Sequence, residues 1–365
     1  MTSFHNFSGG PGALAKTVLN QASQSILELP ETKVSILGMS HRSDWFRSVM
    51  DEAELNIKKL LNIPDSYHVL FLQGGSSLQF TMIPMNFLRG KTQSAAYLQT
   101  GYWSSKAPPE GVFEGEVNIL WDGSGAGYRN LPEKNDLNIP ESCAYLHYVS
   151  NETVEGLEFN YIPEALNVPL ICDMSSNLMS QPLDVTKFDL IYAHAQKNLG
   201  PAGVTLVIIK DDFANAATTN LPILMDYRTH IKARSIYNTP PVFSIYTLML
   251  VSRWLLNDIG GLENMCALNI KKSKKLYEAL DINNHVYRVH AMPTCRSIMN
   301  CSFYLKKEHL IDDFFTQARS RNIIGLEGHR SIGGIRASLY NAVTENDIDC
   351  LTDFLQDFAE YSLPL

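Results

Sequence analysis

The stretch Asp189–Gly203, DLIYAHAQKNLGPAG, runs straight into the apolar segment Val204–Ile209, VTLVII. Two strand-like runs flank a tight turn, with Lys197 at its bend. Apolar strands on both sides deny this lysine the solvent face of a helix or the tip of an open loop. A free lysine, with a reference pKa of about 10.4, is unprotonated at pH 7 only about once in 2,500 molecules. Amine chemistry at Lys197 therefore requires desolvation or a standing imine, and a closed pocket supplies either. The plain alternative is a strand-end lysine reaching back to solvent.

The sequence upstream favours the pocket. Val168–Cys172 reads as a buried strand ending in Asp173, followed by Met174, Ser175 and Ser176. A carboxylate at the carboxyl end of a parallel strand lies at the ligand edge of an open α/β sheet. An aspartate and, one strand later, a lysine at the same edge are the two protein groups that pyridoxal phosphate needs. The lysine carries the imine, and the aspartate keeps the pyridine nitrogen protonated.

The 365 residues, 45% hydrophobic and 19% charged, bound the chain as an ordinary globular protein with room for a second, smaller domain. A net charge of −8 argues against a nucleic-acid surface. The most apolar segment, Ile245–Leu256, is broken by Ser252 and Arg253 and reads as a core helix, so no membrane partner is expected. Met1–Phe7 lacks the basic start and apolar stretch of a signal peptide, which makes the cytoplasm the expected compartment. Cys143, Cys172, Cys266, Cys295, Cys301 and Cys350 are widely spaced and read as buried thiols, with no disulfide and no metal cluster.

From about Val69 to Ile209 strands alternate with helices or connections, the pattern of a mostly parallel doubly wound sheet. Strand His68–Gln73 leads into Gly74–Gly75–Ser76–Ser77 and a helix to Phe87, an anion cup if the helix-start N–H groups and serine hydroxyls face a phosphate, or simply a turn. Trp103 follows another strand-like run and either stacks on a flat ring or packs in the core. Thr153 follows strand Ala144–Val149 at the same edge, reaching a cofactor or capping the strand. The helical segment Leu262–Leu280 has an apolar side that includes Ile270, and Lys271, Lys272, Lys274 and Lys275 make a solvated face. The remainder reads as α+β, with strands near Arg296–Leu305 and Ile335–Ser338 and a last helix capped by Thr344. Two His-Arg pairs, His41–Arg42 and His329–Arg330, lie in polar loops, the second close to Arg336 in a glycine-rich stretch suited to bidentate carboxylate binding.

Taken together, Ser8–Gly12, Met39–Ser43, Asn151–Glu152–Thr153, Asp173–Ser176, Ala195–Gly203, Tyr237–Pro241 and the His329–Arg330 loop resemble the phosphoserine aminotransferases, class-V enzymes dependent on pyridoxal 5'-phosphate. The likeness covers essentially the whole chain. It implies the fold-type I architecture, with a large cofactor domain at 16–260, a small domain of 1–15 and 261–365, and a homodimer sharing two active sites at its interface. By the resemblance Lys197 is the imine lysine, Asp173 the pyridinium partner, Trp103 the ring stacker and Thr153 a cofactor hydrogen-bonding group. Ser76, Ser77 and Gln196 hold the cofactor phosphate, joined by Asn238 and Thr239 of the neighbouring subunit. Arg42 and Arg336 take substrate carboxylate; His41, His329 and Arg330 take substrate phosphate.

Some family members carry Gly-Gly-Gly-Arg where this chain has Gly74–Gly75–Ser76–Ser77, which shifts phosphate recognition onto the His-Arg pairs. The reaction implied moves an amino group from glutamate to 3-phosphohydroxypyruvate in serine biosynthesis, with the 4-phosphohydroxythreonine step of pyridoxine biosynthesis as a candidate second use. Two other readings compete. A cysteine desulfurase-like lyase needs a mobile, exposed nucleophilic cysteine, which neither Cys301 nor Cys350 suits; a catalytically silent phosphate-ligand sensor would need no cofactor.

Overall fold

The computed structural model describes residues 4–165 and 167–362; Met1–Ser3 of the N-terminal opening, Leu166 and residues 363–365 lie outside the described part. Seven strands form the central sheet, in the order Tyr67–Leu72, Thr205–Lys210, Leu190–His194, Leu170–Asp173, Tyr145–Val149, Ala95–Gln99 and Val117–Asp122. Tyr145–Val149 and Leu170–Asp173 are buried at every residue. Near-continuous apolar runs suit strands covered on both faces. One face packs Phe46, Val49 and Ile57 of helix Asp44–Leu61 and Leu248 and Leu255 of helix Val242–Asn257. The other packs Phe80, Met82, Ile83 and Phe87 of helix Gly75–Phe87.

The sheet is mostly parallel, and Thr205–Lys210 is its exception, antiparallel to both Tyr67–Leu72 and Leu190–His194. The reason is the lysine turn itself. The short connection from His194 to Thr205 can close a hairpin but cannot carry the dozen or more residues of a parallel crossover.

A second, antiparallel sheet of Tyr287–Val289, Asn300–Leu305 and Ile335–Ser338 has its own apolar core with helices Leu262–Ile282, Ile311–Ser320 and Glu345–Tyr361. Its middle strand starts at Asn300, four residues later than the sequence suggests at Arg296. Thr344 caps the last helix in a reciprocal box with Asp347. At the other end of the chain His5–Asn6 pairs in parallel with Ile323–Ile324, and Phe7 joins this smaller core.

Helix Leu262–Ile282 corrects the lysine face read from the sequence. Its buried stripe runs through Met265, Asn269, Lys272 and Leu276, so helical spacing places Lys272 inside and leaves Ile270 exposed. Lys272 Nζ donates to the carbonyls of Leu339, Tyr340 and Val343 at 3.0, 3.0 and 2.9 Å, one acceptor for each N–H of an ammonium. Residue type alone suggests solvent, whereas three converging carbonyls make the interior tolerable. Of the six cysteines, Cys143, Cys172, Cys295 and Cys301 are buried, and Cys266 and Cys350 are half-buried. No helix of the described residues is long and apolar enough to cross a membrane.

Lys272→Met keeps the stem and removes the donors. It should cost about 3 kcal/mol of stability, roughly 1 kcal/mol for each carbonyl left without its donor, read as a lower midpoint in urea unfolding.

Candidate active site

Three neighbouring strands release their functional residues at one edge. Tyr145–Val149 leads to Thr153, Leu170–Asp173 ends on the aspartate, and Leu190–His194 leads to Lys197. Asp173 and Lys197 face one cavity of ≈370 Å³, whose lining also includes Trp103, Ser76, Ser77 and Gln196. Lys197 Nζ donates to the Thr153 hydroxyl and, at 3.2 Å, to Ser176 Oγ, and it stands 5.4 Å from the centre of the Trp103 ring. The Thr153 and Ser176 hydroxyls are themselves 2.6 Å apart. Burial pulls the Lys197 amine down to about 8, against the carboxylates of Asp173 and Glu152 and with help from Arg336. That raises its neutral fraction at pH 7 to about one molecule in ten.

The Asp173 side chain is buried and accepts from Ser175 N at 2.8 Å. Burial pushes its carboxyl up, while Lys197 and the Ser175 donors pull it down. An acid in such a place gains from a cationic partner, and a protonated pyridine nitrogen is one.

The cup takes its shape from two left-handed glycines, Gly74 at φ 92° and Gly75 at φ 70°, at the start of helix Gly75–Phe87. A β-carbon on Gly75 would sit 3.4 Å from the His194 ring. No side chain caps this helix start, which leaves its first N–H groups for an anion. Ser76 Oγ lies 2.7 Å from Ser175 Oγ, which accepts the His194 N–H at 3.1 Å, so the cup is tied to the aspartate and lysine strands. Donors for a phosphate, an aromatic wall, a buried acid and a desolvated amine around one cavity fit pyridoxal phosphate.

The remaining expected residues divide. Arg336, half-buried, presses its guanidinium against Gly9 and is held below its ordinary pKa by burial, so it belongs to the Lys197 side. The His329 ring lies 4.6 Å from that of Tyr102, next to Trp103, and Arg330 is exposed. His41 and Arg42 instead line a broad groove of ≈860 Å³ with Arg47, Asp51 and Arg234, apart from the lining of the Lys197 cavity. Asn238 and Thr239 are also exposed, and the Thr239 carbonyl accepts from Gln73 Nε2 at 2.8 Å.

Ser175, Ser176, Glu152 and Glu155 are structural partners whose individual contacts sequence reasoning missed. Hydroxyls directly after a strand that ends in aspartate were the available signal for the two serines. Among the described residues no group of three or more His, Cys, Asp and Glu side chains is arranged to hold a metal.

Comparison with known proteins adds what geometry alone leaves open. The family model for class-V aminotransferases matches residues 4–351. A phosphoserine aminotransferase of Rhodopirellula baltica is 43% identical over 97% of this chain and 94% of its own length. The chain belongs to the phosphoserine aminotransferases of the class-V family. The solved phosphoserine aminotransferase of Bacillus circulans subsp. alkalophilus superposes with a TM-score of 0.95 at 41% identity, covering 98% of this chain and 99% of its own. That of Trichomonas vaginalis, a pyridoxal-phosphate-bound structure, gives 0.90 at 36% identity over 97% of this chain and 100% of its own. The class-V family match therefore spans both sheets and every residue that lines the Lys197 cavity.

Replacing Asp173 by Asn should lower the pKa of Lys197 further below about 8, because the carboxylate that stabilises the ammonium is gone. The midpoint of pH-dependent acylation of Lys197 in cofactor-free protein measures this; an unmoved midpoint would separate the two groups electrostatically.

Proposed function

We propose that this chain transfers an amino group between glutamate and 3-phosphohydroxypyruvate, yielding O-phosphoserine and 2-oxoglutarate, with pyridoxal 5'-phosphate as cofactor. The observation that carries the reading is the pairing of a buried acid, Asp173, with a desolvated amine, Lys197, around one cavity that also holds an anion cup and Trp103. Full-length similarity to named phosphoserine aminotransferases supports the substrate assignment. The 4-phosphohydroxythreonine step of pyridoxine biosynthesis is a second use, since its oxo acid differs by one carbon and bears the same phosphate and carboxylate.

When bound, pyridoxal phosphate supplies an aldehyde for the amino group and a ring that withdraws electrons from it. Asp173 holds the proton on the ring nitrogen. With the cofactor bound, Lys197 Nζ would take the proton from the substrate α carbon as general base and deliver it to the carbon of the cofactor's aldehyde group as general acid. Thr153 and Ser176 hold that amine in place between transfers. Trp103 would stack on the cofactor ring, and Ser76, Ser77 and Gln196 would hold its phosphate. Arg336 orients the substrate carboxylate, with His329 and Arg330 beside it for the phosphate.

His41, Arg42, Asn238 and Thr239 complete the site of a second copy of the chain. The exposure of Arg42, Asn238 and Thr239, and the absence of all four from the lining of the Lys197 cavity, support a homodimer with shared sites. The division into 16–260 and 1–15 with 261–365 is supported by two apolar cores and by the pairing of His5–Asn6 within the smaller one, although Leu262 and Met265 at the start of helix Leu262–Ile282 pack in the larger core. The cytoplasm is the compartment proposed.

Lys197→Ala should abolish turnover and the visible absorbance near ~420 nm of the lysine-bound cofactor, and full activity in that variant would end the assignment. A paired assay with both phosphorylated oxo acids measures the second use directly. Turnover with the three-carbon acid alone would remove it.

A further inference from the structure

Beneath the Tyr102–Trp103 turn lie two carboxyls, Glu152 and Glu155, each only 1% exposed. Glu152 is fully engaged: Oε1 accepts from Thr100 Oγ1 at 3.1 Å and Ser104 N at 3.0 Å, and Oε2 from Trp103 N at 3.1 Å. Glu155 is engaged on one side only. Its Oε1 accepts from Tyr102 N at 2.9 Å, whereas its buried Oε2 has no hydrogen-bond partner. A β-carbon on Gly101 would stand 2.6 Å from both the Glu152 carboxyl carbon and Glu155 Oε2. The two groups are therefore within about 5 Å of each other, close enough that only one ionises readily in a dry site.

Arg336 carries a matching orphan, its buried Nε. The two residues are held to one support. Ser302 Oγ donates to the Val154 carbonyl at 2.6 Å, and Ser302 is also the cross-strand partner of Arg336. A cation with an unfilled buried donor and an acid with an unfilled buried oxygen are thus both tied to strand Asn300–Leu305 through Ser302.

We propose that Glu155 is a positioning residue for the substrate carboxylate: kept protonated by anionic Glu152, it leaves the Arg336 guanidinium uncompensated, and once ionised it competes with the substrate for that guanidinium. The proposal rests on the reading of Arg336 as the carboxylate ligand. Burial pushes the Glu152 carboxyl up, but its donors Ser104, Trp103 and Thr100 pull it back, so of the pair Glu152 is the better place for the negative charge and Glu155 for the proton. Burial and then Glu152 push the Glu155 carboxyl up to about 8, against the Tyr102 N–H and Arg336. Of the other titratable groups, Tyr128 and Tyr304 act on Glu155, Tyr128 and Lys197 on Glu152, and Tyr340, Lys197 and His329 on Arg336. Loss of the Glu155 proton to solvent makes a second buried carboxylate, and Arg336 is a cation whose charge acts on it.

The test is the KM for 2-oxoglutarate in the reverse direction, measured against pH in the holoenzyme, because this oxo acid has no group of its own titrating there. With a Glu155 midpoint of about 8, KM should rise about tenfold between pH 7 and pH 9 while kcat does not follow it. Glu155→Gln keeps the acceptor for Tyr102 and fixes the neutral state, so its KM should stay flat over that range. Glu152→Gln removes the charge that holds the Glu155 proton, so the rise should begin about one pH unit lower or more. An alkaline rise that persists unchanged in Glu155→Gln, or is unmoved in Glu152→Gln, overturns the proposal, as does a wild-type KM with no rise. Arg336→Ala separates the two readings: an unchanged KM there removes the carboxylate role of Arg336 and this proposal with it. A raised KM in Arg336→Ala beside a wild-type pH profile in Glu155→Gln removes the proposal alone.

Discussion

Taking the Lys197 amine out of water is the constraint on which the rest of the site depends. In solution the ammonium form would dominate and no useful nucleophile would exist at neutral pH. Burial between two strands weakens that preference, the carboxylates of Asp173 and Glu152 limit how far it goes, and the amine settles at about 8, within reach of neutral pH, while it donates to the Thr153 and Ser176 hydroxyls. The lysine is therefore tuned by opposing influences: desolvation favours the neutral amine, and the Asp173 and Glu152 carboxylates favour the ammonium.

That tuning needs a frame that does not yield. The strands bearing Thr153, Asp173 and Lys197 are neighbours in the sheet and release their chains at one edge. Helices cover both faces, so the edge cannot relax without opening the core. The hairpin after Lys197 adds a further tie. Because Thr205–Lys210 returns antiparallel between Leu190–His194 and Tyr67–Leu72, it places the lysine turn beside the strand that feeds the glycine–serine cup. Cup and amine are thereby fixed to each other through a single strand.

The smaller domain contributes by approach. Arg336 comes from its sheet edge, and the N-terminal turn at Ser8–Gly12 lies between it and the lysine, with Gly12 N donating to the Gln196 carbonyl at 2.7 Å and Tyr340 Oη donating to the Gly9 carbonyl at 2.8 Å. Lys272 stabilises this junction from behind by gathering the carbonyls of Leu339, Tyr340 and Val343. A lysine that touches no reacting group thus supports the segment that follows Arg336.

Local sequence determined a great deal: the apolar runs that must be strands, the tight turn that forces the lysine between them, the aspartate at a strand end, the glycines of the cup and the Thr344 cap. Each follows from spacing and residue chemistry within a dozen residues, where backbone geometry leaves few alternatives. Other features depend on groups far apart in the chain. Lys272 reads as solvated because its three acceptors lie some seventy residues away, and helical phase alone brings it to them. Glu155 reads as an ordinary acid until Glu152, Gly101 and Arg336 crowd it from three elements. Likewise His41 and Arg42 share a sequence pattern with His329 and Arg330, yet tertiary structure alone sends the first pair to a separate groove. Sequence determines which groups are available and how the nearby backbone must turn; only the packed structure decides which charges face one another without water between them, because that depends on distances set by the whole fold.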